Sequence, residues 1–392
     1  MNRKKIAVIF GGISPEHEVS IITGIQALEN IDKEKFEAFP VYVSKDGTLY
    51  TGDVLREIES YKNLSNITNK AIQIQPNLNS KQSSFTYFSK SLGITKQKFI
   101  PVDVIFSCFH GGLGENGGFP GLFEIMNIPY VGPGILSSSV GMDKVVMKNL
   151  FAEAGLPQTS YQWFYRNAWE NGRGQILNKV AKLSYPLFVK PANGGSTVGV
   201  TKVKDKKALE NAMEVAFLFD RKVIVEEGFA GREINISVLG NSGSKLETSV
   251  CEEVFPSEEL LSYEDKYASG NSKSSGMAST KREIPAKIKK ETAQKIEELA
   301  KVAFEALDLS GVSRIDFIVN EEKDKLVILE ANTIPGSLSF YLWEPKGMKF
   351  KDLLTKLIEL SFERHAEVEK NTKSFPSNIL ENFKPSDKSS KI

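Results

Sequence analysis

RIDFIVNEEKDKLVILEANTIPG, residues 314–336, is the stretch from which the rest of the chain can be read. Two apolar runs, Arg314–Val319 and Lys325–Ala331, flank a charged turn, the pattern of a β-hairpin. Strand side chains alternate between faces, so Arg314 shares a face with Asp316, and Glu330 with Asn332. A turn centred near Lys323 sets Asp316 almost opposite Glu330. One surface then carries two carboxylates, a carboxamide oxygen and a guanidinium. Hard divalent cations take oxygen ligands, and Mg²⁺ typically joins one or two carboxylates to nucleotide phosphates. The plainer reading is a half-exposed charged hairpin, since carboxylates usually sit in water. The Glu-Ala-Asn-Thr-Ile-Pro-Gly run directly after an apolar strand favours a site.

A chain of 392 residues can bury a large core and predicts two or three domains. The formal net charge of +1 offers no polyanion-binding surface, so nucleic acid is not expected as a partner. Cys108 and Cys251 are too few for a disulfide framework and read as free thiols in a reducing compartment. No apolar run approaches the roughly 20 residues that span a bilayer, so no membrane partner is expected. The opening MNRKKIAVIFGG has an apolar run of only five residues, Ile6–Phe10, and reads as a strand entering a glycine turn rather than a secretory signal. The expected location is cytoplasmic.

Ile6–Phe10 has the continuous apolar character of a strand in a parallel sheet. Gly11-Gly12 turns the chain, and Ser14-Pro15-Glu16 opens a helix to about Asn30, with proline at its first position. Phe36–Val43 and Val102–Phe109 read as further strands, separated by a polar region from Tyr61 to Lys98 of loosely packed strands and loops. Strand, glycine turn and helix recur, so residues 1–135 are expected to form an open parallel α/β domain. Ligands in such sheets sit beyond the carboxyl ends of the strands, where the Gly11–Glu16 and His110–Gly118 loops fall. Val131-Gly-Pro-Gly134 marks a boundary, followed by one helix from Ser138 to Ala154. Residues 136–225 then read as an α+β unit containing the strand Leu187–Lys190, and residues 226–368 as a strand-rich unit that includes the opening hairpin. Residues 369–392 are polar and read as a disordered tail.

Asn193-Gly-Gly-Ser-Thr-Val-Gly199 offers several backbone N–H groups and two hydroxyls, a composition suited to phosphate oxygens. It is neither a Walker loop nor a dinucleotide fingerprint, and alone it is equally an ordinary hairpin turn. Lys190, at the end of a buried-type strand, raises its significance, because an ammonium there is costly without an anionic partner. Lys144 is a second candidate. His110-Gly-Gly-Leu-Gly-Glu-Asn-Gly117 carries four glycines in eight residues, more than a turn requires, beside a histidine at a strand end. His17 and His365 read as surface residues. Glu226-Glu227-Gly-Phe229, at a strand edge, suits a purine.

Together these motifs resemble the D-alanine–D-alanine ligases of the ATP-grasp superfamily. The resemblance runs from about Ile6 to Leu360, through residues 11–20, His110–Gly117, Gly141–Lys144, Lys190–Gly199, Tyr263–Tyr267, Arg314–Asp316 and Glu330–Gly336. It implies an N-terminal α/β domain followed by a two-subdomain ATP-grasp fold. It implies that Lys144 and Lys190 hold the ATP phosphates, with the loop containing Gly195 and Ser196 closing on them. Glu226, Glu227 and Phe229 would line the adenine pocket, Glu233 would bind the ribose, and Lys266 would lie on the covering loop Ser257–Thr280. Asp316, Glu330 and Asn332 would bind two Mg²⁺ (or Mn²⁺) ions. Glu16, within a hydrogen-bonded set that includes Ser196 and Tyr267, would receive the ammonium of the first D-alanine, and His110 would help orient that substrate. Arg314 and the Gly336 N–H would stabilise the oxyanion. The implied reaction joins two D-alanines at the expense of ATP, for peptidoglycan precursor synthesis. Members are commonly dimeric, so the resemblance also implies a homodimer.

Two places depart from the common pattern. After Gly336 the family usually has a small-residue run with a Ser-Leu pair for the second substrate's carboxylate; here Tyr341 precedes Leu342. The covering loop runs directly into a basic pair, Lys281-Arg282, which can add phosphate contacts or stand in solvent. Alternatives are a ligase using D-lactate, D-serine or another amino acid second, and an inactive nucleotide-binding homologue. Tyr267 argues for the dipeptide, and the presence of all the metal ligands argues against inactivity. A Rossmann dehydrogenase lacks its glycine fingerprint.

Overall fold

The computed structural model describes residues 3–62, 67, 69–91, 94–195, 198–255, 281–373 and 377–382. Its first sheet contains β1 (Lys4–Gly11), β2 (Phe36–Val43), β3 (Leu49–Thr51), β4 (Ile72–Pro76), β5 (Ser84–Ser91), β6 (Ile94–Pro101), β7 (Val104–Ser107) and β8 (Tyr130–Val131), in the order β6-β5-β4-β3-β2-β1-β7-β8. β2, β1, β7 and β8 run parallel. Both faces of β1 are covered: Ile6, Val8 and Phe10 enter one core and Ala7 and Ile9 another, as an unbroken apolar strand requires. From β3 outward the sheet continues antiparallel, so the polar 61–98 region builds regular strands rather than loosely packed ones. β6 is exposed along nearly its whole length, which leaves no apolar alternation to betray it.

The helix after the first glycine turn spans His17–Asn30, with Glu16 at its N-cap, so it starts later than Pro15 suggests. Three bonds hold the intervening residues as a loop: Gly12 N–H to Val43 O at 2.7 Å, the Ser14 hydroxyl to His110 O at 2.6 Å, and Glu16 N–H to Ser14 Oγ at 3.0 Å. Gly11 has φ +94°, and a Cβ there would lie 2.3 Å from Val43 O, so only glycine fits.

The single helix expected over Ser138–Ala154 is two, Ile135–Met142 and Lys144–Glu153, broken at Asp143 (φ −86°, ψ 102°). The Asp143 carboxylate accepts from Val145 N–H at 3.1 Å and Val146 N–H at 3.2 Å, capping the second helix, and also binds the Lys222 ammonium. Lys144 N–H donates to Ala192 O at 2.9 Å. Lys144 is thereby the first residue of a helix docked onto the glycine-rich loop. That loop follows β10 (Leu187–Pro191), which lies in an antiparallel sheet with β9 (Tyr161–Tyr165), β11 (Thr201–Val203) and β12 (Lys222–Glu227).

The third sheet has β13 (Arg232–Asn241), β14 (Glu247–Thr248), β15 (Glu252–Val254), β16 (Arg282–Glu283), β17 (Ser310–Asn320) and β18 (Lys325–Asn332). Helix Lys290–Ala306 covers one face. On the other, Val312, Ile334, Leu338 and the Phe350–Val368 helix share a core with Ile6, Val8 and Phe10 of β1. The first and third sheets are therefore joined through continuous apolar packing. The expected tail contains a 3-10 turn, Ile379–Asn382; most of the rest beyond Lys373 lies outside the described residues. No helix among the described residues is long and apolar enough to cross a membrane.

Asp143→Ala removes a cap and leaves Lys222, only 7% exposed, without its carboxylate. The expected loss in unfolding free energy is about 2–4 kcal/mol, read from urea denaturation.

Candidate active site

In the β17–β18 hairpin Arg314 opposes Asn332 and Asp316 opposes Glu330, as the turn position predicts. An irregularity between Asp316 and Phe317 makes this so, because Phe317 pairs with Ile328 and Leu329 is left over. Without that bulge Glu330 would oppose Ile315, whose side chain enters the core. Arg314 donates to Asp316 through Nε to Oδ1 and Nη2 to Oδ2, both at 2.7 Å, and Asn332 Nδ2 donates to Oδ2 at 2.8 Å. Asp316 is 3% exposed. Burial lifts its carboxyl above the ordinary range, with Glu330 adding to the effect and Arg314 opposing it. Burial, then Asp316, pushes Glu233 up to about 7.

Carboxylates here outnumber the cations facing them, the imbalance a hard dication would correct. Two carboxylates and a carboxamide also match the oxygen preference of Mg²⁺. Among the described residues no three His, Cys, Asp or Glu side chains converge as a cage, so remaining ligands would come from phosphate and water.

Facing the hairpin, Lys144 Nζ donates to Gly194 O at 2.7 Å and lies 3.8 Å from Glu330 Oε2. Lys190 Nζ lies 3.5 Å from Glu226 Oε1. On the other side of Glu226 stands Lys148, 3.4 Å from Oε2. Lys148 escaped sequence reading, although its four-residue spacing from Lys144 places both on one helix face. Glu227 accepts from Ser184 N–H at 2.7 Å, and Phe229 is half-buried. A Cβ on Gly195 would meet Glu16 Oε2 at 2.7 Å, so the loop tip rests against the Glu16 carboxylate. Ser196, Lys266 and Tyr267 lie outside the described residues.

His110 is buried. Its Nδ1–H donates to Ile334 O at 3.0 Å, and Nε2 accepts from the Thr23 hydroxyl at 2.8 Å. Thr23 Oγ1 in turn accepts from Ser337 N–H at 3.3 Å. Both ring nitrogens are thus spent joining the first sheet to the loop after β18, and burial lowers the imidazole to about 4. Glu115, in the same glycine-rich motif but not singled out from it, makes a parallel connection. It accepts from Gly111 N–H at 2.6 Å, the Thr333 hydroxyl at 3.0 Å and Ile334 N–H at 3.1 Å. Burial pushes its carboxyl up to about 7. His17, expected at the surface, is 1% exposed, donating to Gly12 O at 2.7 Å and accepting from the Tyr42 hydroxyl at 3.2 Å; its sequence neighbours carry no sign of that pocket.

Beyond Gly336, Ser337, Leu338 and Ser339 all have positive φ (48°, 55° and 49°), at about 1–2 kcal/mol each for side-chain-bearing residues. This left-handed turn brings Tyr341 back toward the site, where its hydroxyl donates to Glu252 Oε1 at 3.3 Å. Arg282 lies 5.1 Å over the Tyr341 ring and 3.7 Å from Glu252 Oε2. Lys281 lies over Phe255 at 5.4 Å. Leu342 is fully buried, leaving only its backbone for polar contacts.

A cavity of about 360 Å³ is lined by Glu16, His110, Lys144, Arg314, Glu330 and Gly336 among others. A larger groove, about 910 Å³, lies around Tyr130, Gly134 and Arg364 and shares none of these residues; the smaller one collects the chemistry. Sequence profiles described as the D-ala D-ala ligase N-terminus and C-terminus match residues 5–133 and 150–359. The chain belongs to the D-alanine–D-alanine ligase family.

Its relatives in that family include the D-alanine–D-alanine ligase of Bacillus cytotoxicus, 42% identical over 376 residues, covering 94% of this chain and 99% of the relative. That of Bacillus velezensis is 41% identical, with 92% and 98% coverage. Among solved structures, the VanG D-Ala:D-Ser ligase from Enterococcus faecalis superposes with a TM-score of 0.78 at 33% identity, covering 92% of this chain and all of that one. The D-alanine–D-alanine ligase from Coxiella burnetii gives 0.78 at 27% identity, covering 94% and 97%.

Glu115 and His110 set opposed pH dependences. Glu115 has a folded value above its unfolded one, so its contribution is lost as pH rises from about 4.5 to about 7. His110 has a folded value below its unfolded one, so its contribution is lost as pH falls from 6.5 to about 4. Glu115→Gln unmasks the histidine. Between pH 4.5 and 6.5 its stability should climb more steeply than the parent's, by up to about 1.4 kcal/mol per pH unit, measured by urea unfolding across pH.

Proposed function

We propose that this family member is an ATP-dependent ligase that joins two D-alanines into D-alanyl-D-alanine, releasing ADP and phosphate, for peptidoglycan precursor synthesis. The observation that carries the reading is the cavity on which Arg314, Glu330 and Asn332 of the hairpin, Lys144, Glu16 and His110 converge. A carboxylate is a poor electrophile, and ATP converts that of the first D-alanine into an acyl phosphate. Lys144 and Lys190 hold the phosphates and spread the charge of the transferring group, with Gly195 and Ser196 on the loop above. Asp316, Glu330 and Asn332 would hold two Mg²⁺ (or Mn²⁺) ions, which supply charge neutralisation at the phosphoryl oxygens. Glu226, Glu227 and Phe229 take the adenine, Glu233 the ribose, and Lys266 adds a contact to the nucleotide.

Glu16, with Ser196 and Tyr267, receives the first substrate's ammonium. His110 acts on that substrate by holding the Ile334–Ser337 backbone beside it. The second D-alanine attacks as a free amine. Arg314, held in plane by Asp316, and the Gly336 N–H steady the developing oxyanion, and the Tyr341 hydroxyl and Leu342 backbone meet the second carboxylate. We assign residues 1–135, 136–225 and 226–368 to three units, each centred on its own sheet, with β12 carrying the second sheet on to Glu227. A homodimer follows from the family's habit, and a cytoplasmic setting from the buried free thiols.

Phosphate release with MgATP should depend on D-alanine and not on L-alanine, with D-alanyl-D-alanine as product. Ester formation with D-lactate in preference to dipeptide near neutral pH would overturn the assignment. Tyr341→Phe should raise the KM for the second D-alanine about three- to tenfold, the worth of one hydrogen bond, with the first KM and kcat little changed in steady-state kinetics.

A further inference from the structure

Lys148 has no part in the roles above, yet its setting is the most demanding of any lysine described. Its side chain is 1% exposed, its ammonium makes no hydrogen bond, and it lies 5.5 Å over the Tyr161 ring. Its anionic neighbour is Glu226, itself 3% exposed, whose second oxygen faces Lys190. Two ammonium groups thus bracket one buried carboxylate, an arrangement whose desolvation is costly unless the charges are needed. Lys144 and Glu330 act on this pair from further off, and Tyr161 faces it from β9. Burial would raise the Glu226 carboxyl, and Lys190 and Lys148 overcome it and hold the group below its ordinary value.

The two lysines differ in reach. Lys190 keeps 13% of its side chain exposed, whereas Lys148 is sealed in at 1%. When Lys190 turns to a phosphate, Glu226 would be stranded in a dry pocket but for Lys148. We propose that Lys148 is a positioning residue for nucleotide selection: the permanent buried counter-ion that keeps Glu226 a carboxylate, able to accept from the 6-amino group of adenine and to repel a 6-oxopurine. This rests on the reading of Glu226 as part of the purine pocket. An ionised carboxylate has acceptors only, so it pairs with an exocyclic amine and clashes electrostatically with an exocyclic oxygen. A protonated one can donate to that oxygen, and discrimination is lost.

The test compares kcat/KM for ATP and inosine triphosphate in the parent, Lys148→Met, Glu226→Gln and the double variant, with folding checked by circular dichroism. Lys148→Met should lower the ATP-to-inosine-triphosphate ratio by about tenfold or more, the scale of a charge-assisted hydrogen bond, mainly by weakening ATP. In the Glu226→Gln background the same substitution should leave the ratio unchanged, because no carboxylate remains to be held. If Lys148→Met does not fold, Lys148→Gln, which keeps a donor and drops the charge, carries the same expectation. A parallel fall for both nucleotides, or an unchanged ratio while Glu226→Gln loses discrimination, overturns the role of Lys148 and leaves the pocket assignment standing. An unchanged ratio in Glu226→Gln overturns the pocket assignment itself.

Discussion

The two-point hydrogen bond between Arg314 and Asp316 is the constraint on which the site depends. Asp316 sits in the middle of β17, the strand that pairs with both β13 and β18, so its carboxylate is carried into the interior by the longest pairings in the third sheet. A buried carboxylate without a partner would be strongly destabilising. The planar guanidinium two residues away, on the same face, satisfies both oxygens at once. That pairing fixes the orientation of Arg314 more tightly than a lysine could be fixed. The bulge at Leu329 then adds Glu330 to the same face and Asn332 donates to Asp316, which leaves the surface rich in oxygen and short of positive charge.

Around that face the chain arranges cations at graded depth. Lys144 is set by the Asp143 cap at the mouth of the helix, Lys190 projects from β10, and Lys148 is sealed beneath Glu226. The grading leaves Lys144 and Lys190 partly open and Lys148 closed off from solvent. Burial itself does much of the electrostatic tuning, lifting Glu115 and Glu233 and depressing His110.

The junction between the first and third sheets is built from polar groups as well as the shared apolar core. Thr23, His110 and Glu115 from one side grip the Thr333 hydroxyl and the backbone of Ile334 and Ser337 on the other. The left-handed turn at Ser337–Ser339 is strained, and burial of Leu338 and Ser339 within the shared core holds it. The loop after Gly336 is therefore shaped by a junction assembled from residues more than 200 positions apart, as the Thr333–Glu115 bond illustrates.

What the sequence determined by itself was local chemistry. Alternation placed Arg314 with Asp316 and Glu330 with Asn332, the glycine-rich loops announced close approach of backbone to neighbouring groups, and apolar continuity identified the central parallel strands. These are legible because period-two geometry and glycine's freedom act over a few residues. Tertiary structure alone decided the rest. The antiparallel extension through β6 has no buried face to mark it. At the break at Asp143 the Ala192 carbonyl takes the Lys144 N–H that a continuous helix would use, and the Asp143 carboxylate caps the second helix while binding the distant Lys222. Glu115 and Lys148 depend on partners far away in the chain and the burial of His17 on Tyr42 of β2, and a desolvation cost cannot be read until the walls that exclude water have been assembled.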